Sequence, residues 1–239
     1  MTMKRLLILT ITVFSLTAFT SDENGPQTTD GAFTTLMIAA ADIGKYTETL
    51  RDNPSAFQAT GTTGAGVCVT NSGNAYEGQM MVWSAFPDVA SALVGGTKYD
   101  PQQAPRQFKN LRDLKYGVTW KPLTPFRLEP GYERVQRIKV SAENLQAFNE
   151  GLNKLEASIQ AAGHPNFFNG AFVQIGGGTH EIETLMVRSI TRDAQSMGVL
   201  FDDYFAGTAT WAADYDSLML LGEVMSDNME ICEQVYFGS

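Results

Sequence analysis

The chain has 239 residues and a formal net charge of −9. That length is typical of one large or two small globular domains. Nucleic acids and anionic membrane surfaces are bound through basic faces, so the acidic composition excludes both as partners.

The first residues have the order expected of an export signal. Lys4 and Arg5 precede an apolar run from Leu6 to Phe19, which is too short to span a membrane comfortably. The sequence therefore predicts a signal peptide over residues 1–20 and a disordered, polar leader over residues 21–31. We expect an exported mature protein, periplasmic or extracellular, with no membrane attachment after cleavage.

Residues 32–124 have the pattern of one β-α-β-β-α-β unit. The predicted strands run from Phe33 to Ala41, Val67 to Thr70, Tyr76 to Ser84 and Tyr116 to about Leu123. The predicted helices begin after Asp42, after Asp88 and at Arg106, and the pattern ends them at Asn53-Pro54, at Gly95-Gly96 and at Leu114.

A proline-rich linker, residues 125–131, precedes a second unit over residues 132–239. Its first strand begins at Tyr132, and a long helix follows whose apolar residues recur at helical spacing. Strands from Phe167 to Ile175 and from His180 to Ser189 come next. A helix from Asp193, a second helix extending to Met225 and a strand from Met229 to Phe237 complete the unit.

The two units share a faint internal repeat. The pattern M-V-x-S-x-x-x-D-x-x-S at Met81–Ser91 returns 105 positions later at Met186–Ser196, and the first strands align at an offset of 99. In each copy, the pattern predicts a strand that ends at the Ser and a helix that begins at the Asp. We therefore predict an α+β protein with two tandem ferredoxin-like units, whose apolar antiparallel sheets cover each other.

This arrangement resembles the dimeric α+β-barrel superfamily, in which two ferredoxin-like units close their sheets into one barrel. Here both units would come from one chain, over residues 32–238, as a pseudo-dimeric barrel. The superfamily includes antibiotic-biosynthesis-type monooxygenases, haem-degrading enzymes and chlorite dismutase-like haem proteins. The resemblance rests on element order and duplication, and no catalytic motif of a subfamily is matched. It therefore implies the fold and no particular reaction.

Strand alternation selects candidate ligand-binding residues. Met80 and Val82 fit the face that packs on helices, so their neighbours should line the space between the sheets. The predicted ligand-binding residues are Gln79, Met81, Trp83, Thr184 and Met186.

His180 and Arg188 belong to the same face and are the candidate catalytic residues. His180 could act as a base or an axial haem ligand, or could simply end a strand half exposed. Arg188 could hold a carboxylate or oxyanion of a ligand, or pair with an acidic side chain of the protein.

The two cysteines of an exported chain invite pairing. A bridge between Cys68 and Cys232 would tie the two units together, and the alternative is two buried thiols. The pattern predicts no metal site, because His164 and His180 lie well apart without a neighbouring Cys.

Three functions remain open. The preferred hypothesis is an exported protein, a monomer or weak homo-oligomer, that binds a small apolar molecule between the sheets without a cofactor. One alternative is an enzyme on the same barrel, either a cofactor-independent monooxygenase or a haem-using enzyme. The other is an assembly module whose inter-sheet space is fully packed.

Overall fold

The computed structural model describes residues 28–238, so the predicted signal peptide lies outside the described residues. The strands are β1 (Ala32–Ala40), β2 (Gly64–Ser72), β3 (Gln79–Phe86), β4 (Arg112–Pro122), β5 (Gly131–Val140), β6 (Phe168–Gly176), β7 (Leu185–Thr191) and β8 (Gly222–Phe237). The helices are α1 (Ile43–Asp52), α2 (Ser55–Thr60), α3 (Val89–Lys98), α4 (Arg106–Lys109), α5 (Leu145–Ala161), α6 (Ala194–Phe205) and α7 (Ala212–Met219).

The eight strands form one closed barrel in the order β1-β3-β2-β8-β5-β7-β6-β4, with β4 returning to β1. Each unit contributes four antiparallel strands in the same order, and the units meet at two seams, β2 with β8 and β4 with β6. Closure leaves no free sheet edge. The predicted fold class, two ferredoxin-like units forming a pseudo-dimeric α+β barrel, is confirmed.

Strand alternation places the core as the sequence predicts. Met81, Trp83 and Met186 belong to the buried cluster inside the barrel. Their strand neighbours face outward: Met80 and Val82 pack under the helices of the first unit, and Val187 packs under those of the second. Each unit is thus a barrel wall with its own helical layer outside it.

The repeated Asp and Ser have one structural role in both units. Asp88 and Asp193 are the N-caps of α3 and α6, and their carboxylates accept hydrogen bonds from the backbone N–H of Ser91 (2.6 Å) and Ser196 (2.8 Å). These backbone hydrogen bonds lower the pKa of both carboxyls. The repeat therefore records helix capping.

Strand pairing also corrects the offset between the first strands. Ser84 pairs with Thr34, and its repeat partner Ser189 pairs with Arg134. The structural offset between β1 and β5 is therefore 100 positions, because 134 − 34 = 100, and the predicted 99 is wrong by one.

Three predicted helix ends are also wrong. Helix α3 continues through Gly95-Gly96 to Lys98. The glycine at position 95 allows close packing within the helix, since an added Cβ would be 2.7 Å from the Phe86 ring and 2.9 Å from the Thr60 carbonyl oxygen. The expected helix to Leu114 ends at Lys109, because β4 begins with Arg112 paired to Ala40.

The helix expected to reach Met225 likewise ends early. Helix α7 stops at Met219, and Gly222 pairs with Val140 at the start of β8. Barrel pairing overrides local helical spacing at both places.

The leader and the linker contact each other. Thr28 and Phe126 exchange backbone hydrogen bonds of 3.1 and 2.9 Å, and Lys121 Nζ donates to the carbonyl of Gly31 at 3.1 Å. Phe126 is buried against Phe172 in the barrel cluster. Residues 28–31 are therefore attached to the fold, although the sequence placed them in a disordered leader.

Candidate functional site

The space between the sheets is packed. The cavity that touches Met81, Trp83 and Arg188 has a volume of about 20 Å³, enough for about one water molecule. Met186 is fully buried beside them, and the Trp120 indole donates to the hydroxyl of Thr35 at 2.9 Å. The predicted binding residues in the barrel are core residues in this structure.

Gln79 and Thr184 build turns at the ends of strands. The side-chain oxygen of Gln79 accepts from the backbone N–H of Ala75 at 2.7 Å, and the Thr184 hydroxyl donates to the Glu181 carbonyl at 3.1 Å. Thr184 precedes β7, which begins at Leu185.

His180 is exposed, outside the barrel interior. Three successive glycines with positive φ, Gly176 to Gly178, lead into a 3-10 turn over Gly178–His180, so the strand expected from His180 begins only at Leu185. The imidazole stacks on Tyr116 with ring centroids 4.1 Å apart. The next residue, Glu181, is buried and accepts from Arg137 at 2.6 and 2.9 Å.

Arg188 does lie inside the barrel, paired with acids of the protein. Its Nε donates to Glu133 at 2.6 Å and its Nη2 donates to Glu230 at 3.1 Å, and all three side chains are buried. Burial raises the pKa of Glu133 despite the opposing charge of Arg188. Of the two roles open for Arg188, the structure shows pairing within the protein.

Cys68 and Cys232 form a disulfide across the seam between β2 and β8. The sulfurs lie 3.3 and 3.2 Å from Nη2 of Arg188. With Glu230 they form the one group of His, Cys, Asp and Glu ligand atoms in residues 28–238 that is close enough to hold a metal ion. Both sulfurs are bonded to each other, so the thiolate ligands that a metal requires are absent from this state.

A larger cleft lies outside the barrel, in the first unit. It has a volume of about 300 Å³ between the outer face of β1, β3 and β4 and helices α1 to α3, and residues 175–177 of the second unit also line it. Its apolar lining includes Leu36, Leu50, Phe57, Val82, Phe86 and Phe108, and its polar lining includes Asn53, Ser84, Tyr99, Arg112 and Thr119. A mostly apolar wall with a few polar groups is typical of small-molecule sites. We call this space the first-unit cleft.

The second unit has a smaller cleft in the corresponding place, with a volume of about 120 Å³. The offset of 105 that aligns the two Asp caps places Gly95 on Leu200 and Gly96 on Phe201. Leu200 and Phe201 line the smaller cleft, and the two glycines line the larger one. The first-unit cleft is therefore open where two large side chains occupy its counterpart. Sequence reasoning interpreted this glycine pair as a helix end and missed its effect.

Among the described residues that line the first-unit cleft, Arg112 has the one charged side chain, and only 7% of it is exposed. Its Nη1 donates to the hydroxyl of Tyr46 at 2.5 Å, and its Nη2 donates to the hydroxyl of Tyr99 at 3.3 Å and the carbonyl of Pro101 at 3.4 Å. Burial raises the pKa of Tyr46 to about 12, against the influence of Arg112. Arg112 was not identified as a site residue from the sequence, because the pattern predicted a helix at this position.

The cleft does not fit a haem held by histidine. Haem iron is held in proteins by His, Cys, Met or Tyr, and of these types the described lining of the cleft contains Tyr99 alone. The hydroxyl of Tyr99 already accepts from Arg112. His164 lies 3.7 Å from Asp203, and neither it nor His180 lines the cleft.

No helix of the described residues is long and apolar enough to cross a membrane.

No family model and no curated protein matches the chain. Several solved structures match the chain. An anthrone oxidase-like protein matches with a TM-score of 0.54 and 10% identity, over 86% of this chain and 94% of that one. A putative monooxygenase from Lactobacillus acidophilus matches with a TM-score of 0.53 and 9% identity, over 88% and 96%. A chlorite dismutase mutant from Candidatus Nitrospira defluvii matches with a TM-score of 0.50 and 8% identity, over 86% and 92%.

These similarities define the class of protein by its fold. The chain has the dimeric α+β-barrel fold, as the resemblance in the sequence implied, with both ferredoxin-like units supplied by one polypeptide. At such low identity the similarity shows the fold alone, because one fold supports many unrelated functions.

Proposed function

We propose that this protein binds a small, mostly apolar molecule in the first-unit cleft. The observation that carries the proposal is the difference between the two units: the cleft lined by Gly95 and Gly96 has a volume of about 300 Å³, and the cleft lined by Leu200 and Phe201 has about 120 Å³. The larger volume is in the range of small-molecule sites. The proposed binding site therefore lies on the outer face of one sheet, and the sequence had predicted it between the sheets.

The lining of the cleft favours binding over turnover. General acid–base catalysis uses His, Asp, Glu, Lys, Tyr or Cys side chains, and of these types the described lining contains Tyr99 alone. A Ser or Thr nucleophile needs an adjacent base, and no His, Asp, Glu or Lys of the described residues lines the cleft beside Ser84. The names of similar structures include monooxygenases, and a cofactor-independent oxygenase acting in this cleft is the alternative. Its polar groups would be the Tyr99 hydroxyl and the Arg112 guanidinium.

Filling the cleft tests the proposal. An added Cβ at Gly96 would meet nothing within 4 Å, so Gly96→Phe introduces the side chain that Phe201 supplies in the second unit. We expect this variant to bind the neutral fluorescent probe N-phenyl-1-naphthylamine at least about tenfold more weakly than the wild type, because the ring occupies the apolar volume. Fluorescence titration of the purified protein measures the affinity.

Gly198→Phe is the matched control. Gly198 is also a helical glycine with no neighbour within 4 Å of an added Cβ, and it lies in α6 of the other unit. It should leave probe affinity within about twofold of the wild type. Wild-type protein that binds no probe, or equal affinity in the Gly96→Phe variant, would contradict the proposal.

Export of the mature chain belongs to the same proposal. The Cys68–Cys232 disulfide supports it, because such bonds persist in oxidising compartments. When the full chain is expressed in a secreting bacterium, we expect the intact mass of the exported protein to lack about the first 20 residues. Recovery of a full-length mass from the cytosol alone would reject export.

A further inference from the structure

We propose that the molecule bound in the first-unit cleft carries a carboxylate and that Arg112 binds this group. The inference rests on the proposed function, because it assigns the chemical class of the ligand of the same cleft. It also explains a buried charge that the protein itself leaves without an opposite charge.

Arg112 is buried and has no carboxylate partner within residues 28–238. No Asp or Glu oxygen of the described residues lies within ion-pair distance of its guanidinium, and its three hydrogen-bond acceptors are neutral. Its Nε is buried with no hydrogen-bond partner. Arg188, the other buried arginine of the described chain, is paired with two carboxylates. Of the two buried arginines, Arg188 therefore has two carboxylate partners and Arg112 has none among the described residues.

The absence of an acid makes Arg112 a suitable anion receptor. A buried charge without a partner is unfavourable, and a carboxylate from a ligand would compensate it through charge-assisted hydrogen bonds. The hydroxyl of Tyr99, which lines the cleft, accepts from Arg112 and donates to no described atom, so it retains a proton for an anionic oxygen.

The buried arginine without a described carboxylate partner occurs in the unit that has the larger cleft. Arg112 pairs with Ala40 at the start of β4, and the corresponding pair in the second unit joins Gly222 to Val140. The second unit thus has a glycine where the first has a cation, and Leu200 and Phe201 where the first has glycines. The second-unit cleft is smaller, about 120 Å³, and its lining arginine, Arg134, is paired with Asp227. The larger volume and the arginine without a described carboxylate partner therefore occur together in the first unit, as expected if they serve one ligand.

The test compares two aromatic compounds of nearly the same shape. Displacement of N-phenyl-1-naphthylamine by 1-naphthoate and by 1-naphthamide measures how much a carboxylate adds to a fixed apolar body. We expect the wild-type protein to bind the acid about tenfold to a hundredfold more tightly than the amide, which is the effect of hydrogen bonds to a charged group. Equal affinities, or a preference for the amide, would overturn the proposal without any variant.

Arg112→Met removes the charge and keeps much of the side-chain volume. It should reduce the preference for the acid to about one, while affinity for the neutral probe stays within about threefold and shows that the cleft is intact. Arg51→Met removes a cation from α1 of the same unit, where Arg51 is half exposed and outside the cleft lining. We expect that control to retain the preference, because screening weakens distant charges.

The outcomes separate this inference from the proposed function. Probe binding that Gly96→Phe weakens, combined with equal affinities for acid and amide, rejects the carboxylate and keeps the binding site. A preference that survives in Arg112→Met assigns it to another group and also overturns the inference. Loss of the proposed function itself, shown by a wild-type protein that binds no probe, removes both.

Discussion

Replacement of Arg188 by Met is expected to lower the free energy of unfolding by about 3–5 kcal/mol at neutral pH, since it leaves buried carboxylates without their partner. Glu133 and Glu230 are both about 4–5% exposed and both accept from Arg188. Both are almost inaccessible to bulk solvent in the folded state. Urea or guanidinium unfolding of the oxidised protein measures the difference.

The loss should depend on pH in a defined direction. Burial already raises the pKa of Glu133 in the wild type, and removing Arg188 removes the charge that opposes this rise. A carboxyl whose folded pKa lies above its unfolded value stabilises the protein at low pH, and this contribution is lost as pH rises through the folded pKa. The difference between the wild type and Arg188→Met should therefore be smaller at about pH 5 than at about pH 8.

A combined variant separates unpaired charge from lost packing. Arg188→Met together with Glu133→Leu and Glu230→Leu removes all three charges, and replacement of a buried ion network by apolar residues is often neutral or stabilising. We expect it to recover most of the stability that Arg188→Met loses. An Arg188→Met variant that unfolds with the wild-type free energy at neutral pH would show that the network contributes nothing.

Removal of the disulfide should have an effect of similar size. Cys68 and Cys232 are 164 positions apart, and the entropy of closing a loop of that length corresponds to about 5 kcal/mol. The double variant Cys68→Ala, Cys232→Ala should therefore unfold with a free energy about 4–5 kcal/mol lower. The bridge joins β2 to β8, so its loss weakens one of the two seams between the units.

Reduction of the wild-type protein provides the control. Wild type unfolded in the presence of a phosphine reductant should approach the stability of the double variant, because both lack the same covalent link. Circular dichroism of the unreduced double variant should still show the native signal in water, since the strand pairing of the seam remains. A loss below about 1 kcal/mol would mean that the bridge adds little to the closed barrel.

Much of the fold could be predicted from local patterns. The alternation that separates Met81 and Trp83 from Met80 and Val82 determines which face of β3 is inside, because successive strand side chains point to opposite faces. The Asp caps at Asp88 and Asp193 mark the starts of two helices for a reason that is wholly local. The cysteines suggested a bridge, but their pairing required the register between β2 and β8.

The candidate site could not be found in the same way. The sequence pattern of Gly95-Gly96 predicted a helix end, and its effect appears only from the two clefts, which α3 lines with Gly95 and Gly96 and α6 lines with Leu200 and Phe201. Arg112 was assigned to a helix because its pairing partner, Ala40, lies about 70 positions earlier in the chain. His180 lies outside the predicted pocket, because three glycines with positive φ turn the chain before β7.

The sequence by itself determined the two-unit α+β architecture, because side-chain periodicity, helix caps and their repetition depend on neighbours a few residues apart. The tertiary structure alone decided where space remains and which charges stay without an opposite charge. Those properties depend on side chains that distant segments bring to the same place: Trp120 and Phe126 help to fill the barrel, and Gly95 and Gly96 leave the outer cleft open.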